Sequence, residues 1–251
     1  MIGECLAILA VGLGGGLLPL LTRWSYRGLH LALAASTGVF LGAVFLHMLP
    51  SLGAPHAHTH GAESGGGAAE DASMLVWGAV LVGVLAVYFV ESLLFRTHDH
   101  DALHRHRAVG WASLVGLTLH AATTGFGLSA AFEEGLARPM FLAMIGHKLF
   151  EAFSLTSVYQ LAEFPRRRIL VLAAVFALVT PAGMLLGDLA LHEIPHEALS
   201  VVLALAAGTF LYVCLCELLP EVFHHREDGL RKVMLLLVGI VGMAVLHRFE
   251  G

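Results

Sequence analysis

Residues 168–190 read RILVLAAVFALVTPAGMLLGDLA. Between Arg168 and Asp188 no side chain is charged, and almost every one is apolar or small. At about 1.5 Å of rise per residue, a helix of this length crosses the roughly 30 Å hydrocarbon core of a bilayer. Seven other windows read the same way, at roughly 3–22, 29–50, 73–95, 109–132, 139–162, 197–220 and 231–247. The composition agrees. Of 251 residues, 57% are hydrophobic and only 13% charged, with a mean hydropathy of +0.80. Soluble chains carry about 25% charged residues, so this one cannot clothe a water-facing surface. An ordinary soluble enzyme, a disordered chain and a nucleic-acid binder are excluded. Fourteen Lys and Arg against nineteen Asp and Glu offer no basic stripe for phosphates. The expectation is an all-α integral membrane protein of eight transmembrane helices, forming a single domain over residues 1–251. Its first segment reads as a retained span, because it lacks a basic n-region and an A-x-A cleavage site.

The arginines beside the quoted stretch set its orientation. Cytoplasmic loops are enriched in Lys and Arg. Arg23 and Arg27, then Arg96, Arg105 and Arg107, then Arg166, Arg167 and Arg168, then Arg226, Arg231 and Lys232 fall on alternate loops. These are eleven of the fourteen basic residues. Four cytoplasmic loops with both termini outside is the consistent assignment.

Sixteen histidines are the compositional anomaly. One group, His56, His58 and His60, lies in the outside connection at 51–72, a Gly/Ala/Ser-rich stretch unable to bury a core. A second, His98, His100, His104 and His106, alternates with Asp in a cytoplasmic loop at 96–108. Imidazole and carboxylate together suit a borderline divalent metal, so both runs are candidates for accessory capture. The segment HEIPHE at 192–197 matches the H-E-x-x-H pattern of zinc proteases. That chemistry needs one unbroken helix face, and Pro195 opposes it. A polar cap of the connection and weak accessory capture near an entrance by His192, Glu193 and His196 are the two open readings. Cys5, Cys214 and Cys216 form no CxxC pair and read as core residues.

Polar groups inside the spans are the informative ones. A charge at mid-bilayer costs at least about 2.5–3.5 kcal/mol, which usually marks function. His120 and Thr124, in LTLHAATTG, are four residues apart on one helical face. His147 and Glu151, in IGHKLFEAFSLTS, are likewise four apart, and Ser154 continues that stripe. The short connection EEGLARP makes the two spans antiparallel neighbours, with both histidines at similar depth. Two imidazoles, one carboxylate and one hydroxyl suit Zn²⁺, with Fe²⁺, Mn²⁺ or Cd²⁺ as rivals. The competing reading of His120 is a hydrogen bond to a neighbouring helix. His47, Glu91, Asp188, Glu217 and Glu221 lie near span ends, where a path lining and an interfacial position are both open.

Several segments together resemble the ZIP (Zrt/Irt-like) family of metal transporters. They are LGAVFLHMLP at 41–50, HAATTG at 120–125, HKLFEAFSL at 147–155, TPAGMLLG at 180–187 and AAGTFLYVCLCELLPE at 206–221. The resemblance implies an eight-helix, homodimer-prone carrier in the plasma or inner membrane. A transport bundle would slide against a scaffold and pass metal toward the cytoplasm. It implies a metal site on spans four and five, hence His120, Thr124, His147 and Glu151. Family members with two adjacent metals carry a polar residue where this chain has Ala121, and acids where it has Thr124, Lys148 and Thr180. The departure predicts a mononuclear site, with Lys148 in place of the second ion and Thr180 and Ser154 nearby. Zinc is the expected cargo and no ATP drive is expected, since no G-x-x-x-x-G-K-[ST] loop occurs. An intramembrane zinc hydrolase and a non-transporting metal sensor are the alternatives to a carrier that is not an enzyme.

Overall fold

A computed structural model describes residues 2–22, 24–53, 66–94, 102–133, 137–190, 196–224 and 227–248. Among them the chain forms eight helices and no strand. They are α1 (Ile2–Leu21), α2 (Tyr26–Gly42), α3 (Gly66–Leu94), α4 (Ala102–Glu133), α5 (Ala137–Leu161), α6 (Arg166–Ala190), α7 (His196–Tyr212) and α8 (Gly229–Arg248). Helix α2 continues through a π turn (Ala43–Met48) into a last turn (Leu49–Gly53). Helix α7 does the same through Val213–Leu218 into Leu219–Phe223.

Both π turns have one local cause. The sequences HMLP and ELLP place Pro50 and Pro220 just beyond the turn. Proline supplies no N–H to the preceding turn and its ring crowds the carbonyl four residues back. The helix widens there rather than breaking. His47 and Glu217 sit in the widened turns.

Six helices are long and apolar enough to cross a membrane: Ile2–Leu21, Tyr26–Leu52, Ser73–Leu93, Arg166–Ala190, Ser200–Phe223 and Gly229–Arg248. Helices α4 and α5 fall outside that criterion. They are the two whose interiors carry His120, Thr124, His147, Lys148 and Glu151. The outward surface is apolar, with Met74, Leu81 and Phe89 of α3, Val171 and Leu186 of α6, and Val238 of α8 exposed. The polar residues His120, His147, Lys148, Glu151 and Thr180 are buried instead. Lipid, not water, matches such a surface.

Packing divides the helices into two groups. Helix α1 packs on α5 and α6, and α4 packs on α5 and α6. In the second group α2 packs on α8, and α3 packs on α7. The groups meet along a seam of α4 against α7 and α2 against α5. Without a hydrophobic drive between helices in lipid, close backbone approach supplies the attraction. The α4–α6 contact depends on this. A Cβ at Gly125 would collide with the Thr180 carbonyl, and one at Gly183 with the Ala122 carbonyl. The reciprocal pair locks the helix bearing His120. Gly183→Val is therefore expected to lower stability by about 1–3 kcal/mol or more through overpacking. Gly14→Ala, where an added Cβ meets nothing within 4 Å, should leave it unchanged. Thermal unfolding of the two variants side by side checks this.

At the end where α2 and α8 begin, Arg27 donates to Asp228. That hydrogen bond holds the Asp228 carboxyl below its ordinary range.

Candidate metal centre

His120 on α4 and His147 and Glu151 on α5 converge in the interior. Their ligand atoms all lie within 4.8 Å of one another. His120 Nε2 is 3.2 Å from Glu151 Oε1 and His147 Nε2 is 3.5 Å from the same oxygen. Helical spacing accounts for the second contact, since residues four apart share a face. The first needs the α4–α5 packing.

Helix α7 prepares the His120 ring. The ring lies flat against Phe210, with centroids 4.1 Å apart and planes 15° from parallel. Its Nδ1 donates to the Ala206 carbonyl at 3.0 Å. A carbonyl only accepts, so Nδ1 carries a proton, and the Nε2 edge of the ring faces Glu151. This is how a metal-ligating histidine is oriented by an outer partner. The interhelical bond and the ligand role, set against each other in the sequence, thus use opposite edges of one ring. His147 gives an independent sign. Both of its ring nitrogens are buried without a hydrogen-bond partner among the described residues. Leaving such a group unsatisfied costs about 1–3 kcal/mol, which a metal bond would offset.

The two oxygens of Glu151 are used differently. Oε1 faces the imidazoles, while Oε2 accepts a hydrogen bond from Lys148 Nζ at 2.7 Å. That ammonium also lies 4.3 Å from the centre of the Phe176 ring on α6, a cation–π contact. Lys148 is 1% exposed and its charge is met by Glu151 rather than by water. Thr124 Oγ1 donates to the His120 carbonyl at 2.7 Å and lies 3.4 Å from both ring nitrogens. Ser154 and Thr180 are buried, and neither hydroxyl makes a hydrogen bond among the described residues. The arrangement offers two imidazole nitrogens and one carboxylate oxygen in the buried interior, a donor set suited to Zn²⁺ or Fe²⁺.

Two contributors escaped the sequence reading: the Ala206 carbonyl and Phe210, both on α7. The segment holding them was read as a span and as part of the resemblance, but a backbone carbonyl leaves no mark in side-chain pattern. The hydropathy window opening at 109 also missed the true start of α4 at Ala102, because a helix does not end where its apolar run ends. His104 and His106 accordingly lie in the first turns of a helix. His104 is exposed, and His106 is buried against Glu221. His56, His58, His60, His98, His100 and His192 lie outside the described residues, and His196 is the first residue of α7.

A family model described as ZIP Zinc transporter matches residues 1–100 and 95–247. Zinc transporter ZIP9-B of Xenopus laevis is 31% identical over 255 residues, covering 85% of this chain and 83% of that protein. Zinc transporter 9 of Oryza sativa subsp. japonica is 29% identical over 157 residues, covering 59% of this chain but only 43% of its own length. Fe(2+) transport protein 1 of the same plant is 32% identical over 160 residues, covering 59% and 42%. The chain thus spans less than half the length of the two rice relatives.

Proposed function

The chain belongs to the ZIP zinc transporter family, and from that premise we propose that it moves zinc through a mononuclear site of His120, His147 and Glu151. Family membership and the apolar helices make it a multi-pass membrane protein and a divalent metal transporter. The observation that supports the finer reading is the convergence of three buried ligand atoms within 4.8 Å of one another, with His120 Nδ1 held by the Ala206 carbonyl. Thr124 serves as a weak fourth ligand or holds a water. Lys148 occupies the charge position of a second ion, which its ion pair with Glu151 supports.

All three ligands belong to the group α1, α4, α5 and α6. Transport proceeds by sliding of that group along the seam, exposing the site to each side in turn. The basic loops face the cytoplasm, both termini and the opposite ends of all eight spans face outside, and metal moves inward. The protein works as a homodimer in the plasma membrane. Its cargo extends to Fe²⁺, the ion named for one rice relative, with Mn²⁺ and Cd²⁺ as further competitors.

The test is zinc uptake into liposomes holding the purified chain and an internal fluorescent indicator. Saturable influx, reduced by excess external Fe²⁺ or Cd²⁺ and indifferent to ATP, is expected. Tight metal binding without flux would identify a sensor instead.

A further inference from the structure

Two serines repeat the placing of the two histidines. Ser113 stands seven residues before His120 on α4, and Ser154 stands seven after His147 on α5. Seven residues make two turns, so each serine shares a helix face with its histidine, roughly 10 Å further along the axis. The two helices run antiparallel, so both steps lead toward the end where α4 begins and α5 finishes. The contacts between α4 and α5 fix their register. Arg107 Nε donates to the Ala162 carbonyl at 3.4 Å, a Cβ at Gly110 would meet the Tyr159 ring at 3.2 Å, and His120 faces Glu151. In that register Ser113 stands level with Thr156, between Ser154 and Ser157.

Ser113, Ser154 and Ser157 are fully buried. None of their hydroxyls has a hydrogen-bond partner among the described residues. A serine or threonine inside a helix either turns to solvent or bonds the carbonyl four residues back. Ser36, Thr37 and Thr156 make that bond, at 3.1, 2.8 and 2.9 Å. Thr156 lies between two of the three serines in the chain, but its methyl group sits beside Gly16 of α1. The serines make no such bond. A buried hydroxyl without a partner is costly, and polar residues held inside a membrane protein mark ion paths. Water or a hydrated cation supplies the missing partner.

The row continues toward the same end. His106 stands a further seven residues before Ser113 on α4. Its Nδ1 is 2.6 Å from Glu221 Oε1, and His30 Nε2 is 3.7 Å from the same oxygen. These residues belong to α4, α7 and α2, so the row finishes at a buried contact that spans the seam.

We propose that Ser113, Ser154 and Ser157 line the route along which the divalent cation passes between the central site and the basic-loop end of the seam. The inference rests on the central site being the transport site and adds the path that serves it. Hydroxyl oxygens are weak ligands for a borderline ion and good partners for its hydration water. Conduction needs binding favourable enough to admit an ion and weak enough to release it. A row of hydroxyls meets both demands.

The experiment is cysteine labelling of the full-length chain in inverted and right-side-out membrane vesicles, with a membrane-impermeant methanethiosulfonate. Labelling is read by mass spectrometry at the substituted position, so Cys5, Cys214 and Cys216 do not interfere. Arg231→Cys, at a side chain 67% exposed, identifies the vesicles that present the basic-loop end. Thiol reactivity follows access, so in those vesicles Ser113→Cys and Ser154→Cys should label at least about 10-fold faster than Thr156→Cys, a position just as deeply buried. Rates no faster than that of Thr156→Cys, or labelling only in the opposite vesicles, overturn the proposal. Zinc influx gives a second readout. Ser113→Ala/Ser154→Ala removes two unpartnered hydroxyls, so thermal stability should hold or rise. Maximal influx should nevertheless fall severalfold, with Co²⁺ affinity at the central site unchanged. Wild-type maximal influx in that double variant likewise overturns the proposal. A wild type without influx refutes transport through the central site, whereas the labelling pattern decides the route independently of flux.

Discussion

His147→Ala is expected to reduce zinc influx into liposomes by at least about 100-fold. Removing even an outer partner of a metal ligand typically costs 10–100-fold in affinity or activity, and His147 is proposed as a ligand itself. The substitution leaves Glu151 facing one imidazole instead of two. The Lys148–Glu151 ion pair and the His120–Ala206 bond both survive it. A folding defect is therefore separable, by elution profile and thermal unfolding, from loss of the ligand. Influx within a fewfold of wild type at equal protein incorporation would end the site assignment.

Lys148→Met is expected to have the largest effect on stability. The ammonium is buried, 2.7 Å from Glu151 Oε2 and 4.3 Å from the centre of the Phe176 ring. Breaking a buried pair by deleting one partner costs about 3–5 kcal/mol, because the remaining charge is stranded. Methionine fills most of the volume, so packing changes little. The metal-free variant should unfold well below wild type, and saturating zinc should recover more stability in the variant, since the ion now supplies the only compensating charge. Equal zinc-induced shifts in the two proteins would show that Lys148 does not share Glu151 with the metal. Lys148→Asp asks the complementary question. If Lys148 stands where a second ion would sit, that exchange should raise the central site from one bound ion to two.

Six of the eight expected spans were legible as long apolar helices, because transfer of apolar side chains into lipid dominates every other local preference, and a window of hydropathy measures it directly. His147 and Glu151 were legible because one helix sets their relation, four residues apart. His120 could be matched to them through a short connection and similar depth. What the pattern could not carry lies between elements distant in the chain. The Ala206 carbonyl is eighty-six residues from His120, and the meeting of His30, His106 and Glu221 joins three helices. Glu221 looked like an interfacial acid at a span end. Its burial follows from the way α7 runs on past its π turn toward the starts of α2 and α4. The composition test that recognises six helices fails for α4 and α5 for a related reason. A helix that must hold polar ligands in lipid cannot also be uniformly greasy.

The hydrogen bond from His120 to the Ala206 carbonyl joins the two helix groups. In the proposed sliding mechanism it would therefore act as a latch that senses position. Displacing the carrier group by a single turn of helix would take Nδ1 away from its acceptor and lift the ring off Phe210. The imidazole would then be free to turn or exchange its tautomer, loosening its hold on the cargo. Affinity would thus be high where the groups are in register and lower where they are not, so that grip and release are timed by the movement itself.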